Sequence, residues 1–298
     1  MTGAANRQFQ PASMDVLLMA KICVDGYNIG LAKGSGIATY GQNLIQNLEA
    51  IGHSPQILYG PSEERSNSQI INETALIGGS DEPPRIKKGQ RFLKTIASRF
   101  GRSAWPVPPT NEVIWPKGAR QQAGVELLWA SQNLFFFANR SFIAHHAATP
   151  LRFSYTDEHP SPAIMHWTTV LPIYAPAVPN VYTIHDLIPL KLPHTTLGKS
   201  RDFMRLCQFV AKRADQIATV SETSKRDIVN ILGVDESRIT TTFQSVNIPK
   251  SILSKSDDEV REELEGIFGL DWKDYFIHFA TIEPKKNLGR IEIGRAHV

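Results

Sequence analysis

Four short stretches carry residue types that could do chemistry. Gly30-Leu-Ala-Lys-Gly34-Ser35-Gly36-Ile-Ala-Thr-Tyr40 follows a short apolar run. Glycines placed after a strand let backbone N–H groups approach an anion at a helix N-terminus; an ordinary strand-to-helix turn is the alternative. Val181-Tyr-Thr-Ile-His185-Asp186-Leu-Ile-Pro189 puts a polar pair directly after a β-rich run. In parallel sheets the C-terminal strand ends line the ligand crevice. A histidine there can donate to a hydroxyl or a phosphate and titrates near neutrality, and the adjacent Asp can cap the next turn or orient a partner. A histidine buried and satisfied at a strand end is the competing reading.

The third stretch, Val220-Ser221-Glu-Thr-Ser224-Lys225-Arg-Asp227, opens a helix after a strand. Exposed N–H groups and hydroxyls suit an anion or a hydroxylated ligand, and an ordinary N-cap explains the same residues. The fourth, Thr281-Ile-Glu-Pro-Lys285-Lys286-Asn-Leu288, sets two lysines in a loop. Lysine is a compact point charge suited to phosphate, although a solvated turn needs nothing more.

The elements that must position these stretches read as an α/β chain. Lys21–Asp25 is a strand, Ile37–Ile51 carries helical spacing up to a C-capping Gly52, and Pro55–Tyr59 is the next strand, the opening of a doubly wound fold. Residues 61–120 are turn-rich, and Trp105–Pro116 reads as an irregular, proline-rich excursion. Further strands are expected at Glu126–Ala130, Val181–Ile184, Gln216–Val220, Arg238–Phe243 and Tyr275–Ala280. Helices are expected at Leu197–Ala214, Thr223–Leu232 with Ser221 as N-cap and Gly233 at the end, and Asp257–Phe268.

Composition narrows the function classes. The chain has 298 residues, 42% hydrophobic and 20% charged, which is globular and long enough for roughly two domains. A net charge of +3 is too small to argue for nucleic acid. Cys23 and Cys207 lie far apart, outside any metal-ligand spacing, so neither a disulfide framework nor a metal site is expected. Two thiols fit a cytoplasmic location. Leu127–Ala148 is too interrupted by polar residues to span a membrane. A nicotinamide oxidoreductase is disfavoured: the first glycine loop lacks the third glycine of the dinucleotide fingerprint, and the second strand ends Leu58-Tyr59-Gly60, where an acid should stand.

Taken together, the order and spacing of these stretches resemble the family 4 glycosyltransferases, within them the mannosyltransferase B-like branch of bacterial polysaccharide mannosyltransferases. The resemblance rests on Gly34-Ser35-Gly36 with Tyr40, on Thr183–Leu190, on Val220–Ile228 followed by Leu232–Val234, and on Ile282–Leu288. It covers about 21–60 and 166–290 and is poor over 61–165. The pattern departs at Ala280, where the family carries glycine, and at Gln244-Ser-Val-Asn247, where an Asn-Gly-Val-Asp-like turn is usual.

The resemblance implies a GT-B fold of two Rossmann-like domains, the first on the acceptor side and the second binding a nucleotide-sugar. It implies retention of anomeric configuration, no metal and no cofactor, with a nucleotide-sugar, GDP-mannose favoured, as donor substrate. His185, with Asp186, would be catalytic and contact the transferred sugar; Gly34, Ser35, Gly36 and Tyr40 would form the acceptor and phosphate loop. Ser221 and Ser224 would lie at the cleft helix N-terminus, and Lys285 and Lys286 at the donor diphosphate, where a cationic clamp meets the charge gained by the leaving group. The acceptor would be a polysaccharide or a lipid-linked glycan.

The expected organisation is a tail over 1–18, a nearly complete acceptor-side domain over 19–251, and a linker helix and first strand of a truncated donor domain over 252–291. Only about 45 residues follow Ser251, against the roughly 100 a domain takes. The family's second-domain carboxylate motif therefore has no place, and the chain alone is expected to be inactive. Residues 292–298 match the translation of a sequencing adapter and are expected to be an artefact. The alternative to an enzyme is a non-catalytic module that binds an acceptor or docks on a membrane.

Between Arg85 and Arg120 nine Lys/Arg residues accompany one acid, Glu112. Phe92, Ile96 and Phe100 lend this segment an apolar stripe, the pattern of a helix lying on anionic lipid. An ordinary surface helix covering the sheet accounts for the same pattern. Peripheral contact with the inner face of the plasma membrane is the expectation that follows from the first reading.

Overall fold

A computed structural model describes residues 19–29, 36–77, 84, 86–110, 112–113, 125–195, 200–246, 248, 250–278 and 286–296. The tail over 1–18, Gly34, Ser35, Ala280 and Lys285 lie outside them. The chain divides into two compact units, Met1–Leu187 with Arg201–Gln244, and Ile188–Ser200 with Ser245–Val298.

The first unit is an α/β fold around ten strands. In chain order they are β1 (Lys21–Asp25), β2 (Ser54–Tyr59), β3 (Arg102–Val107), β4 (Leu127–Ala130), β5 (Thr149–Phe153), β6 (Ile164–Trp167), β7 (Ile173–Tyr174), β8 (Asn180–Ile184), β9 (Gln216–Thr219) and β10 (Ile239–Thr241). The helices are α1 (Gly36–Ala50), α2 (Gln69–Ile77), α3 (Lys88–Ser98), α4 (Leu134–His145), α5 (Ile188–Lys191), α6 (Ser200–Arg213), α7 (Glu222–Leu232), α8 (Lys250–Leu253), α9 (Asp257–Phe268) and α10 (Leu288–Ala296).

The sheet order is β10-β9-β8-β6-β1-β2-β4-β3-β5-β7. Every pairing is parallel except β3 with β4. Parallel neighbours need long crossovers, which the helices supply. Such strands are covered on both faces and become continuous apolar runs. In β8, Asn180, Tyr182, Thr183 and Ile184 are all buried. Trp129, Trp167, Tyr182, Phe135 and Phe137 are the largest fully buried side chains.

The doubly wound class read from the sequence is the class observed, and local signals act as expected. The Ser221 side chain accepts from Ser224 N to cap α7, and Gly233, at φ 66°, ends it with its N–H on Val229 O. Two expectations are corrected. Trp105–Pro116 is not irregular throughout, since Trp105, Pro106 and Val107 end β3, and 61–165 hold α2, α3, α4 and β5 beside β4, which falls on the strand expected at Glu126–Ala130. Trp105 and Pro106 belong to a strand because residues 105–107 pair on one side only, with β4, while 102–104 pair with β5. Proline is tolerated where one side of a strand needs no donor.

The second correction concerns Tyr275–Ala280, whose described residues 275–278 are not strand. A strand requires a hydrogen-bonded neighbour, and the described residues of the second unit hold none. The regular elements among its described residues are helices. Its α9 is closed by a capping box in which Ser256 and Glu259 bond reciprocally.

Candidate active site

The direction of the sheet reverses at one place. From β1 the chain winds outward through β2 and β4; later it returns to pair β6 on the other side of β1 and, after the two-residue β7 at the opposite edge, continues through β8, β9 and β10. The gap beyond the C-terminal ends of β1 and β6 is therefore the switch point of the fold. Asp25 ends β1, Thr168 follows β6, His185 follows β8, and Ser221 follows β9.

The His185 ring is held at three places. Its Nε2 lies 2.9 Å from the Thr168 carbonyl oxygen and its Nδ1 lies 3.3 Å from Gln244 Nε2. A carbonyl only accepts, so the proton sits on Nε2 and Nδ1 is left as an acceptor for the Gln244 amide. Tyr40 stands edge-on to the ring, 5.0 Å between centroids at 85°. Burial pushes the His185 pKa down, opposed by the Thr168 carbonyl and the Asp186 charge. The ring is therefore neutral at pH 7, and toward Gln244 it accepts rather than donates.

Behind this ring lies a buried polar chain. Tyr40 OH and His166 Nε2 are each 2.9 Å from Thr183 Oγ1. Burial, followed by the neighbouring His185, lowers the His166 pKa to about 4; burial raises that of Tyr40. Asp25 is fully buried. One of its oxygens accepts from Thr168 N and the other from Tyr27 N. Burial raises its pKa to about 6 against those bonds. Asp25 thus holds the backbone whose next carbonyl fixes the His185 tautomer. Asn28, on the turn after β1, is also buried, and its amide Nδ2 has no partner among the described residues.

The candidates drawn from the sequence separate accordingly. His185, Tyr40, Ser221 and Ser224 come together. Ser224 Oγ donates to the His185 carbonyl at 2.8 Å, and Ser221 Oγ accepts from Ser224 N at 3.1 Å. Both serines thus position the strand end. Asp186 is exposed beside the ring, and Gly36 opens α1. Lys286 is exposed in the second unit. Sequence reading missed Asp25, His166, Thr168 and Gln244 as members. The one available signal was an acid ending the first apolar strand.

Among the described residues no group of three or more His, Cys, Asp or Glu could hold a metal ion, and no helix is long and apolar enough to cross a membrane. A cavity of about 530 Å³, lined by Arg65, Asn72, Val107, Glu158 and His159 among others, shares no residue with the His185 cluster.

Residues 116–248 match the family described as Glycosyltransferase Family 4. The matched segment carries β6, β8, β9 and β10 with His166, Thr168, Thr183, His185, Ser221, Ser224 and Gln244. It leaves outside the first glycine loop and the Ile282–Leu288 block. The match supports a glycosyltransferase. No curated protein matches the chain.

Proposed function

We propose that this protein transfers a sugar, mannose in our reading, from a nucleotide-sugar to a polysaccharide or lipid-linked acceptor, with retention and without a metal. The observation that carries the reading is the His185 ring at the switch point, neutral and with its proton committed to Thr168. Its Nδ1 offers a lone pair at a half-buried strand end, where among the described residues only the amide of Gln244, an exposed residue, competes for it. A sugar hydroxyl is the matching ligand, since it can donate to Nδ1 in place of that amide. A phosphate oxygen, which only accepts, is not a match for this atom.

His185 then orients the transferred sugar, while Asp25, Thr168 and Ser224 hold the ring through its tautomer and backbone. Tyr40 closes one flank of the ring and ties it to the buried Thr183 and His166. Gly36 and Tyr40 start the helix that follows the glycine loop, so that loop serves the acceptor or phosphate side. The stabilisation asked of such a site comes from fixed dipoles that need no rearrangement during transfer.

The test is a panel of labelled nucleotide-sugars offered to the full-length protein with glycan and lipid-linked acceptors, with the product's anomeric configuration read by NMR. Transfer from GDP-mannose with retention is expected. Glycan binding in the absence of transfer from every donor would replace this reading with that of an acceptor-binding module.

A further inference from the structure

The helix α3 is turned the unusual way round. A helix packed on a core normally sends its apolar stripe inward. In α3 the buried side chains are Thr95 and Ser98. Ser98 Oγ lies 2.8 Å from Thr149 Oγ1 on β5, and the Thr95 hydroxyl donates to Arg91 O at 2.7 Å. Arg91 turns back to donate to Pro84 O at 3.0 Å, with its guanidinium over the Phe136 ring of α4.

The apolar residues point the other way. Phe92 is 60% exposed, Leu93 66%, and Phe100, just past the helix, 70%. A single exposed leucine needs no explanation, but three large apolar side chains on one helix and its end form a patch. Lys87, Lys88, Lys94 and Arg99 belong to the same segment, and no acid occurs between Arg85 and Asn111. None of these four cations has an ion pair among the described residues.

The patch also has a defined place. Because β3 runs antiparallel to β4, with Trp105 opposite Ala130, the start of β3 lies at the edge where β4, β2, β1, β6 and β8 end. Phe100 and Gly101 immediately precede that start. Gly101 makes the turn at φ 125°, where an added Cβ would meet Arg152 Nη1 at 2.6 Å and Pro150 O at 3.3 Å. The patch therefore reaches the same edge of the sheet as His185.

We propose that the outer face of α3, with Phe100, docks on the surface of an anionic lipid bilayer. Cations in the same segment as exposed phenylalanine and leucine, Arg99 with its guanidinium 5.3 Å from the Phe100 ring centre and no acid among them, complement a negatively charged headgroup layer over hydrocarbon. Two copies of so uniformly basic a face would repel each other, which argues against self-association as the cover. The inference stands apart from the sugar-transfer reading, since it uses neither His185 nor its partners.

The test is flotation of the full chain with vesicles of phosphatidylglycerol mixed with phosphatidylcholine, against phosphatidylcholine alone. Binding to the anionic vesicles only, weakening as salt rises, is expected. Replacing Lys87, Lys88, Lys94 and Arg99 by Ala should lower it by roughly several hundredfold, at about fivefold per cation. Arg91 is left in place because its contacts are internal. Phe92→Ser with Leu93→Ser and Phe100→Ser should lower it at least about tenfold without moving the thermal midpoint. Equal binding by both variants overturns the proposal, as does equal binding to phosphatidylcholine alone. Tighter binding of a single-stranded oligonucleotide than of the anionic vesicles overturns it too, as does self-association abolished by the serine variant with no vesicle binding.

Discussion

The two halves of the ten-stranded sheet bury different chemistry. From β10 to β1 the buried or half-buried strand ends carry Asp25, His166, Thr183, His185 and Thr219. From β2 to β7 the corresponding interior is filled by Trp129, Phe153, Phe135, Phe137, Leu128 and Leu151. In the apolar half polar groups meet in separate pairs, as where Trp129 Nε1 donates to Gln56 Oε1 at 2.8 Å and Ser98 Oγ lies 2.8 Å from Thr149 Oγ1. In the polar half the groups partner one another, through Tyr40, Thr183 and His166, and through Asp25, Thr168 and His185. Burying polar groups is costly even when they are paired. A fold that needed only stability would not gather them at its switch point.

That contrast can be broken most forcefully from the apolar side. Trp129→Ala removes a fully buried ring that packs edge-on against Phe153 at 4.9 Å and orphans the Gln56 side chain. It should cost about 3–5 kcal/mol in urea unfolding while leaving sugar specificity unchanged wherever the variant folds. A comparable loss of stability from His185→Ala would erase the distinction between the halves.

The polar half should reveal itself through pH. His166 has a folded pKa near 4 against an ordinary 6.5, so its contribution is present above pH 6.5 and is lost as pH falls toward 4. Asp25 has a folded pKa near 6 against 3.8. Its neutral form is favoured in the fold, so its contribution is present below 3.8 and is lost as pH rises through 6. The two slopes oppose each other. Asp25→Asn should unmask the histidine slope, a gain of about 3 kcal/mol between pH 4 and 6.5. His166→Gln should unmask the opposite one. Unfolding curves across that range check both, and parallel profiles for all three proteins would contradict the assignment.

A smaller effect sharpens the same point. Thr183→Val keeps the strand's shape but removes the hydroxyl shared by Tyr40 and His166. The loss expected in urea unfolding is about 1–3 kcal/mol. A neutral result would mean that the buried chain is not a connected unit.

How much of this was legible in the sequence depends on locality. The Ser221 cap, the Gly233 stop and the strand before His185 rest on residues within a few positions of one another, and their patterns name them. Asp25 and His166 are single polar residues inside short apolar strands. Nothing local says that Val24 pairs with His166, so the partnership across the switch point is invisible until the sheet is assembled. The strand β3 was hidden by Pro106, whose missing N–H matters only if both sides of the strand are paired. The stripe of α3 was visible as Phe92, Ile96 and Phe100, but its direction was not. That direction is set by Ser98 and Thr149, 51 residues apart.

The most direct measurement of the central claim is the rate of sugar transfer by the full-length protein carrying His185→Ala beside the unaltered full-length protein, both at a temperature where each is folded. His185 is half-exposed, so the substitution leaves little cavity. The account predicts a fall in rate on the order of a hundredfold or more with a nearly unchanged thermal midpoint. Transfer at close to the original rate would remove His185, and with it the polar edge of the sheet, from the site of reaction.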